Sequence, residues 1–151
     1  MIDDWADLLL ALLDAHARFL IVGAHALSVH GVPRATQHLD VWLDPAPDNA
    51  ARVWAALAAF GAPLDELGVS VSDLSDEETV VQVGLPPNRV DLLGGISGVA
   101  SFDEAWEGRI THSVRGRDVP FLGRAALVAN KRATGRLKDQ ADLQALREQQ
   151  L

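Results

Sequence analysis

The stretch around Gly23 limits this chain more than any other. Arg18-Phe19-Leu20-Ile21-Val22 is an apolar run of strand length that stops at the glycine, and Ala24 to His30 follows at once with the look of a short helix, ended by Gly31 and Pro33. A buried strand, a glycine and a helix in immediate succession predict a sheet with helices packed on it. The next segment, His38 to Leu43, alternates: Leu39, Val41 and Leu43 point one way, and His38, Asp40 and Trp42 the other. Pro45 and Pro47 close this half-buried strand. Ala50 to Phe60, with Val53, Trp54 and Leu57 spaced for packing, predicts a helix ending at Gly61-Ala62-Pro63.

The remaining segments fit the same plan. Residues 3 to 17 place Trp5, Leu8, Leu9, Leu12 and Leu13 at helical spacing behind the potential caps Asp3 and Asp4. Asp65 to Glu78 is acidic and weakly periodic, and predicts a loop or a short helix. Val80 to Val83 and Arg89 to Leu93 flank the turn signal Gly84-Leu85-Pro86-Pro87-Asn88 and predict an antiparallel hairpin. Phe102 to Trp106 suits a short helix, and Ile110 to Val114 with Gly116 and Val119 a small strand pair. Arg124 to Arg132 and Lys138 to Gln149 are two helices divided by Gly135. With 151 residues, 48% of them hydrophobic, the chain has the size and apolar content of one α/β (α+β) domain over 1–151, a small mixed β-sheet flanked by helices.

Charge and composition exclude several functions. The net charge of -8 argues against a protein coated for indiscriminate nucleic-acid binding. Yet eight of the nine charged residues between Arg109 and Lys138 are basic, so that segment is +7 and the rest of the chain -15. Such a segment is either a phosphate-binding surface or a solvated face that neutralises the acidic body. The absence of cysteine removes disulfides, thiol nucleophiles and cysteine zinc sites, leaving metal or catalytic work to His, Asp, Glu, Ser or Lys. The acidic start Met1-Ile2-Asp3-Asp4 is unlike a secretory signal, and no apolar stretch approaches the roughly 20 residues of a membrane span. A soluble, cytoplasmic protein is expected.

Residues two apart on a strand share a face, so His38 and Asp40 stand side by side, and Asp91 joins them if its strand pairs alongside. Three such groups make a metal site. Phosphoryl transfer needs charge on a polyphosphate neutralised and a hydroxyl activated, which carboxylate-held divalent ions can do. Gly23 allows close approach of backbone to a phosphate, and the start of the following helix offers unpaired N–H groups. The plainer alternative is that Asp40 and Asp91 line a sheet face and pair with Arg34 and Arg89. For His25 and His30 packing or capping is expected, for Trp42 and Trp54 a core or interface role, and Lys138 with Asp142 has the spacing of a local helix pair.

Taken in order, Leu20-Ile21-Val22-Gly23-Ala24-His25-Ala26-Leu27, His30 through Leu43, Arg89-Val90-Asp91-Leu92-Leu93 and Asn130 through Leu143 resemble the nucleotidyltransferase superfamily of the polymerase-beta fold, above all the small bacterial branch related to AbiEii toxin proteins. The resemblance runs from about Phe19 to Leu146. It implies that Gly23 and Ala24 form the turn near a triphosphate, that Asp40 is the second metal carboxylate, and that Asp91 is the third, as ligand or as base for the attacking hydroxyl. Arg34 and Thr36 would meet phosphate or brace the loop. Lys131, Arg136 and Lys138 would contact phosphate or nucleic acid, with Asp139 and Asp142 holding their helix in place. The implied partners are a nucleoside triphosphate and an acceptor that is RNA, a protein side chain or a small molecule.

One position departs from the pattern: the first carboxylate of the Asp-x-Asp pair is His38. With neutral histidine the trio carries -2 where three aspartates would carry -3. Magnesium prefers oxygen ligands, whereas manganese or zinc accepts imidazole. The expectations are therefore a changed metal preference, a weakened enzyme, or a nucleotide-binding or toxin–antitoxin component without catalysis. A histidine-containing metal protein unrelated to nucleotides is the remaining alternative.

Overall fold

The structure, a computed structural model, describes residues 1–149; the last two positions of the predicted 1–151 domain lie outside the described residues. The element order is α1 (Asp3–Asp14), β1 (Phe19–Val22), α2 (Gly23–Val29), β2 (His38–Leu43), α3 (Pro47–Phe60), α4 (Leu64–Leu67), a 3-10 turn (Val71–Ser75), β3 (Val80–Val83), β4 (Arg89–Leu93), α5 (Phe102–Glu107), β5 (Ile110–Val114), β6 (Arg117–Phe121), α6 (Arg124–Thr134) and α7 (Leu137–Glu148). The strands form one six-stranded mixed sheet in the order β3-β4-β2-β1-β6-β5. β1 runs antiparallel to β2 and parallel to β6, β2 runs parallel to β4, and two antiparallel hairpins close the edges. The predicted α/β architecture is the observed one.

Strand periodicity divides the core in two. Phe19 and Ile21 join Leu39, Val41, Leu43, Val90 and Leu92 in one cluster, under α1 and α3. Leu20 and Val22 point the other way, into a cluster with Trp42 and residues of α2, α5, α6 and α7. β1 is thus buried on both faces, which is why its sequence is apolar without alternation. His38, Asp40, Arg89 and Asp91 fall on the second face, at the end of the sheet that Trp42 does not cover.

Local differences from the sequence reading have physical causes. α1 ends at Asp14, not residue 17, because His16 turns left-handed (φ 59°) and the Ala17 N–H returns to the Leu12 carbonyl. α3 starts at Pro47, whose fixed φ and missing N–H suit the first helical position. The acidic 65–78 stretch begins in α4 and continues into the 3-10 turn, where Ser70 and Asp73 cap each other reciprocally. β2 is more than half-buried: Trp42 meets Phe102 edge-on at 5.0 Å between centroids, and its Nε1 donates to the Gly94 carbonyl at 3.3 Å.

Candidate functional site

Parallel pairing of β2 with β4 places Asp40 opposite Asp91 and His38 opposite Arg89. His38 Nε2 lies 3.3 Å from Asp40 Oδ1 and 3.9 Å from Asp91 Oδ2, and one ligand atom from each of the three residues falls within 4.8 Å of the others. A single cation can touch all three. The imidazole nitrogen and two carboxylates form a donor set suited to manganese or zinc, less so to magnesium. Burial pushes the Asp40 carboxyl above its ordinary range; His38 opposes this shift and the charge of Asp91 adds to it. Asp91 is tied differently. Arg89 donates to both of its oxygens, Nε to Oδ1 at 2.9 Å and Nη2 to Oδ2 at 3.2 Å.

Gly23 lies against Asp40. Its φ is +66°, a left-handed value, and a Cβ built there would run into Asp40 Oδ2. Glycine is required twice over, by conformation and by space. α2 is only seven residues long, so the turn at Gly23–Ala24, more than a helix dipole, forms this side of the site. Thr36 steadies the approach to β2: its Oγ1 donates to the His38 carbonyl at 2.9 Å and accepts the His38 N–H at 3.3 Å.

These elements open onto a cleft of about 510 Å³, within the range of small-molecule sites, roughly 300–1,000 Å³. Gly23, Ala24, Arg34, Thr36, His38, Asp40, Lys131, Arg136 and Lys138 all line it. The structure therefore gathers every predicted site residue except Asp91 on the cleft wall, and Asp91 stands beside Asp40 just behind it.

On the opposite wall the basic residues are held by acids. Lys131 is buried, its Nζ 3.4 Å from Asp139 and 3.2 Å from Asp142. Arg136 donates through Nε to Asp139 Oδ2 at 2.7 Å, and Asp139 also accepts the Arg136 N–H. This Arg136 fork, more than any other contact, holds the fully buried Asp139 carboxyl well below the usual carboxylate range. Arg34 reaches across 108 residues to Asp142, its Nε donating at 2.9 Å. Arg34 therefore braces the loop before β2. Because Asp142 is engaged by Lys131 and Arg34, the local pair with Lys138 does not form, and Lys138 sits exposed at the rim.

The basic segment does not form one surface. Arg115 and Arg117 pair with Asp3, Asp7 and Asp14 of α1, the neutralising arrangement, whereas Lys131, Arg136 and Lys138 face the cleft. His30 serves packing, its Nε2 donating to the Leu122 carbonyl at 2.9 Å. His25 lies edge-on to Trp5, and burial lowers its pKa.

Ser97 and Asn130 carry no sequence signal for a role at the cleft. Both line it, and Asn130 Nδ2 donates to the Ser97 carbonyl at 2.9 Å, tying the loop after β4 to α6. The signal for that loop is Gly94-Gly95 directly after a strand, which marks close backbone approach; a Cβ on Gly94 would collide with the Asp76 carbonyl.

Among solved structures, this chain matches a crystal structure from Thermotoga maritima provisionally described as a nucleotidyltransferase. The match has a TM-score of 0.54 at 15% identity and covers 93% of this chain and 86% of that one. The two chains share a fold. At that identity the likeness concerns the fold alone. No family model matches this sequence, and no curated protein matches it either.

Proposed function

We propose that this protein binds a nucleoside triphosphate with a divalent ion in the cleft and transfers its nucleotidyl group to an acceptor hydroxyl. The observation that carries this reading is the convergence of His38, Asp40 and Asp91 within 4.8 Å, with Asp40 packed on the Gly23 turn and, like His38, lining a cleft that Lys131, Arg136 and Lys138 also line. His38, Asp40 and Asp91 would hold the ion, which supplies charge neutralisation on the phosphates when bound. The turn at Gly23–Ala24 would let the triphosphate approach backbone closely, and Lys138, exposed at the rim and in no ion pair among the described residues, would meet its charge. Asp91 would hold the ion or receive the proton of the acceptor hydroxyl. The acceptor oxygen then bonds to the α-phosphorus as the bond to the bridging oxygen breaks, and pyrophosphate leaves. The ordered motifs support the narrower placement near AbiEii-type proteins; the proposal adds a cytoplasmic setting and RNA, a protein or a small molecule as acceptor.

A second reading has its own support. His38 in place of a carboxylate and Arg89 clamped on Asp91 both lower the negative charge available to a metal, as in a nucleotide-binding or toxin–antitoxin component without catalysis. The test is pyrophosphate release from each nucleoside triphosphate with magnesium, manganese or zinc, for wild type, Asp40→Ala and His38→Asp. Transfer predicts manganese-supported release that falls by about 100-fold or more in Asp40→Ala. Nucleotide binding without turnover in wild type, with turnover gained in His38→Asp, selects the second reading. Release indifferent to Asp40→Ala contradicts both.

A further inference from the structure

Arg89 is placed to do more than brace its neighbour. It precedes Asp91 by two residues on β4, shares its face, and lies opposite His38 across the β2–β4 pair. Its guanidinium meets the Asp91 carboxylate oxygen for oxygen, at 2.9 and 3.2 Å, the planar fork that arginine makes with carboxylates. Asp91 is its single carboxylate partner among the described residues. The oxygen that Nη2 engages, Oδ2, is the one directed at His38 Nε2, 3.9 Å away. An ion touching His38, Asp40 and Asp91 would thus compete for the group that the guanidinium holds. Arg89 also acts on Asp40 through its charge. With His38 neutral the cluster carries a formal -2, and counting Arg89 reduces it to -1, so the guanidinium weakens the pull on a divalent ion while it stays in place.

We propose that Arg89 is an internal counter-cation that competes with the divalent ion for Asp91, so that metal occupancy of this centre is set by displacement of the Arg89 guanidinium. The inference rests on the cleft being a metal centre. It opposes the ordinary view of such an arginine, in which the fork pre-orients Asp91 and helps the metal to bind. The two views predict changes of opposite sign.

The experiment is a manganese titration of the full chain, followed by electron paramagnetic resonance of the free ion, for wild type, Arg89→Gln, Arg89→Lys and Asp40→Ala, with thermal melts of each with and without manganese. Arg89→Gln is expected to bind manganese about tenfold or more tightly than wild type. Arg89→Lys, which keeps a charge but loses the fork, should fall between. Without the ion, Arg89→Gln should melt below wild type because a buried carboxylate has lost its partner, and manganese should raise its Tm more than that of wild type. Equal or weaker binding in a folded Arg89→Gln protein overturns the proposal and leaves the metal centre standing. If Arg89→Gln does not fold, Arg89→Lys binding no tighter than wild type has the same consequence. Manganese binding that is absent from wild type and both arginine variants, or unchanged by Asp40→Ala, overturns the metal centre itself and this inference with it.

Discussion

Asp40 lines one wall of the cleft, and Asp139 lies buried behind Lys131 and Arg136 of the other. Asp139 has a backbone N–H, a guanidinium fork and a lysine around its oxygens, and those donors hold its carboxyl in the charged form. Asp40 is close to neutral backbone at Gly23, has one imidazole nitrogen at 3.3 Å and another carboxylate opposite it, and burial holds its carboxyl toward the protonated form. The first arrangement is complete without a ligand; the second leaves oxygens directed at a space with too few donors. A carboxylate cluster kept at a cost to the fold is the one to suspect of binding something.

The sharpest way to break this comparison is to remove the satisfied acid. Asp139→Ala should cost about 3–5 kcal/mol in urea denaturation, because Lys131 is left buried with one of its two partners gone. A loss below about 1 kcal/mol would show that the α6–α7 wall does not depend on the network.

Gly23→Ala should come next, at about 2 kcal/mol, from the left-handed φ together with the collision at Asp40. Its second consequence, loss of manganese binding through a displaced Asp40, separates a positional role from mere strain.

Asp40→Asn should go the other way. Removing a charge that burial disfavours is expected to stabilise the apoprotein by about 1 kcal/mol at neutral pH while abolishing metal binding. Equal stability of the two proteins would mean that His38 already satisfies Asp40.

The two walls also carry opposite pH signatures, the smallest of these effects. Asp40 has a raised folded pKa, so the unfolded chain binds fewer protons between 3.8 and that value, and its penalty fades as pH falls through the window. The advantage of Asp40→Asn should therefore shrink on acidification. For Asp139 the folded pKa is depressed; its contribution is whole above 3.8 and is lost as pH falls below it. Urea midpoints for wild type and the Asn variants, measured between pH 7 and pH 3, should show the Asp40 difference closing first. The reverse order would contradict the assignment of the two environments.

The strand side of the site was legible in the sequence because its geometry is local. His38 and Asp40 share a face by period two, Gly23 ends an apolar run, and the alternation of Arg89 to Leu93 is enough to put Asp91 on a polar face. Parallel pairing of β2 and β4 then needs one register to unite them. What could not be read is the long-range pairing. Lys131, Arg136 and Arg34 look alike as cations in a sequence, yet Arg34 finds its partner 108 residues away and Lys131 points inward to two acids of the next helix. Lys138, which spacing joined to Asp142, is the residue left at the rim, because tertiary partners claimed that acid first. The Ser97–Asn130 tie has no periodic signature at all; only the two glycines before it hint at a tight loop.

The claim on which the rest depends is that a divalent ion binds where His38, Asp40 and Asp91 meet, with a triphosphate laid against the Gly23 turn. The most direct measurement is a crystal structure of the protein with manganese and a non-hydrolysable nucleoside triphosphate, located by the anomalous signal of the metal. A manganese peak in contact with Asp40 and His38, with phosphate oxygens beside Gly23 and Ala24, is the expected result. A peak elsewhere, or nucleotide density outside this cleft, would contradict it.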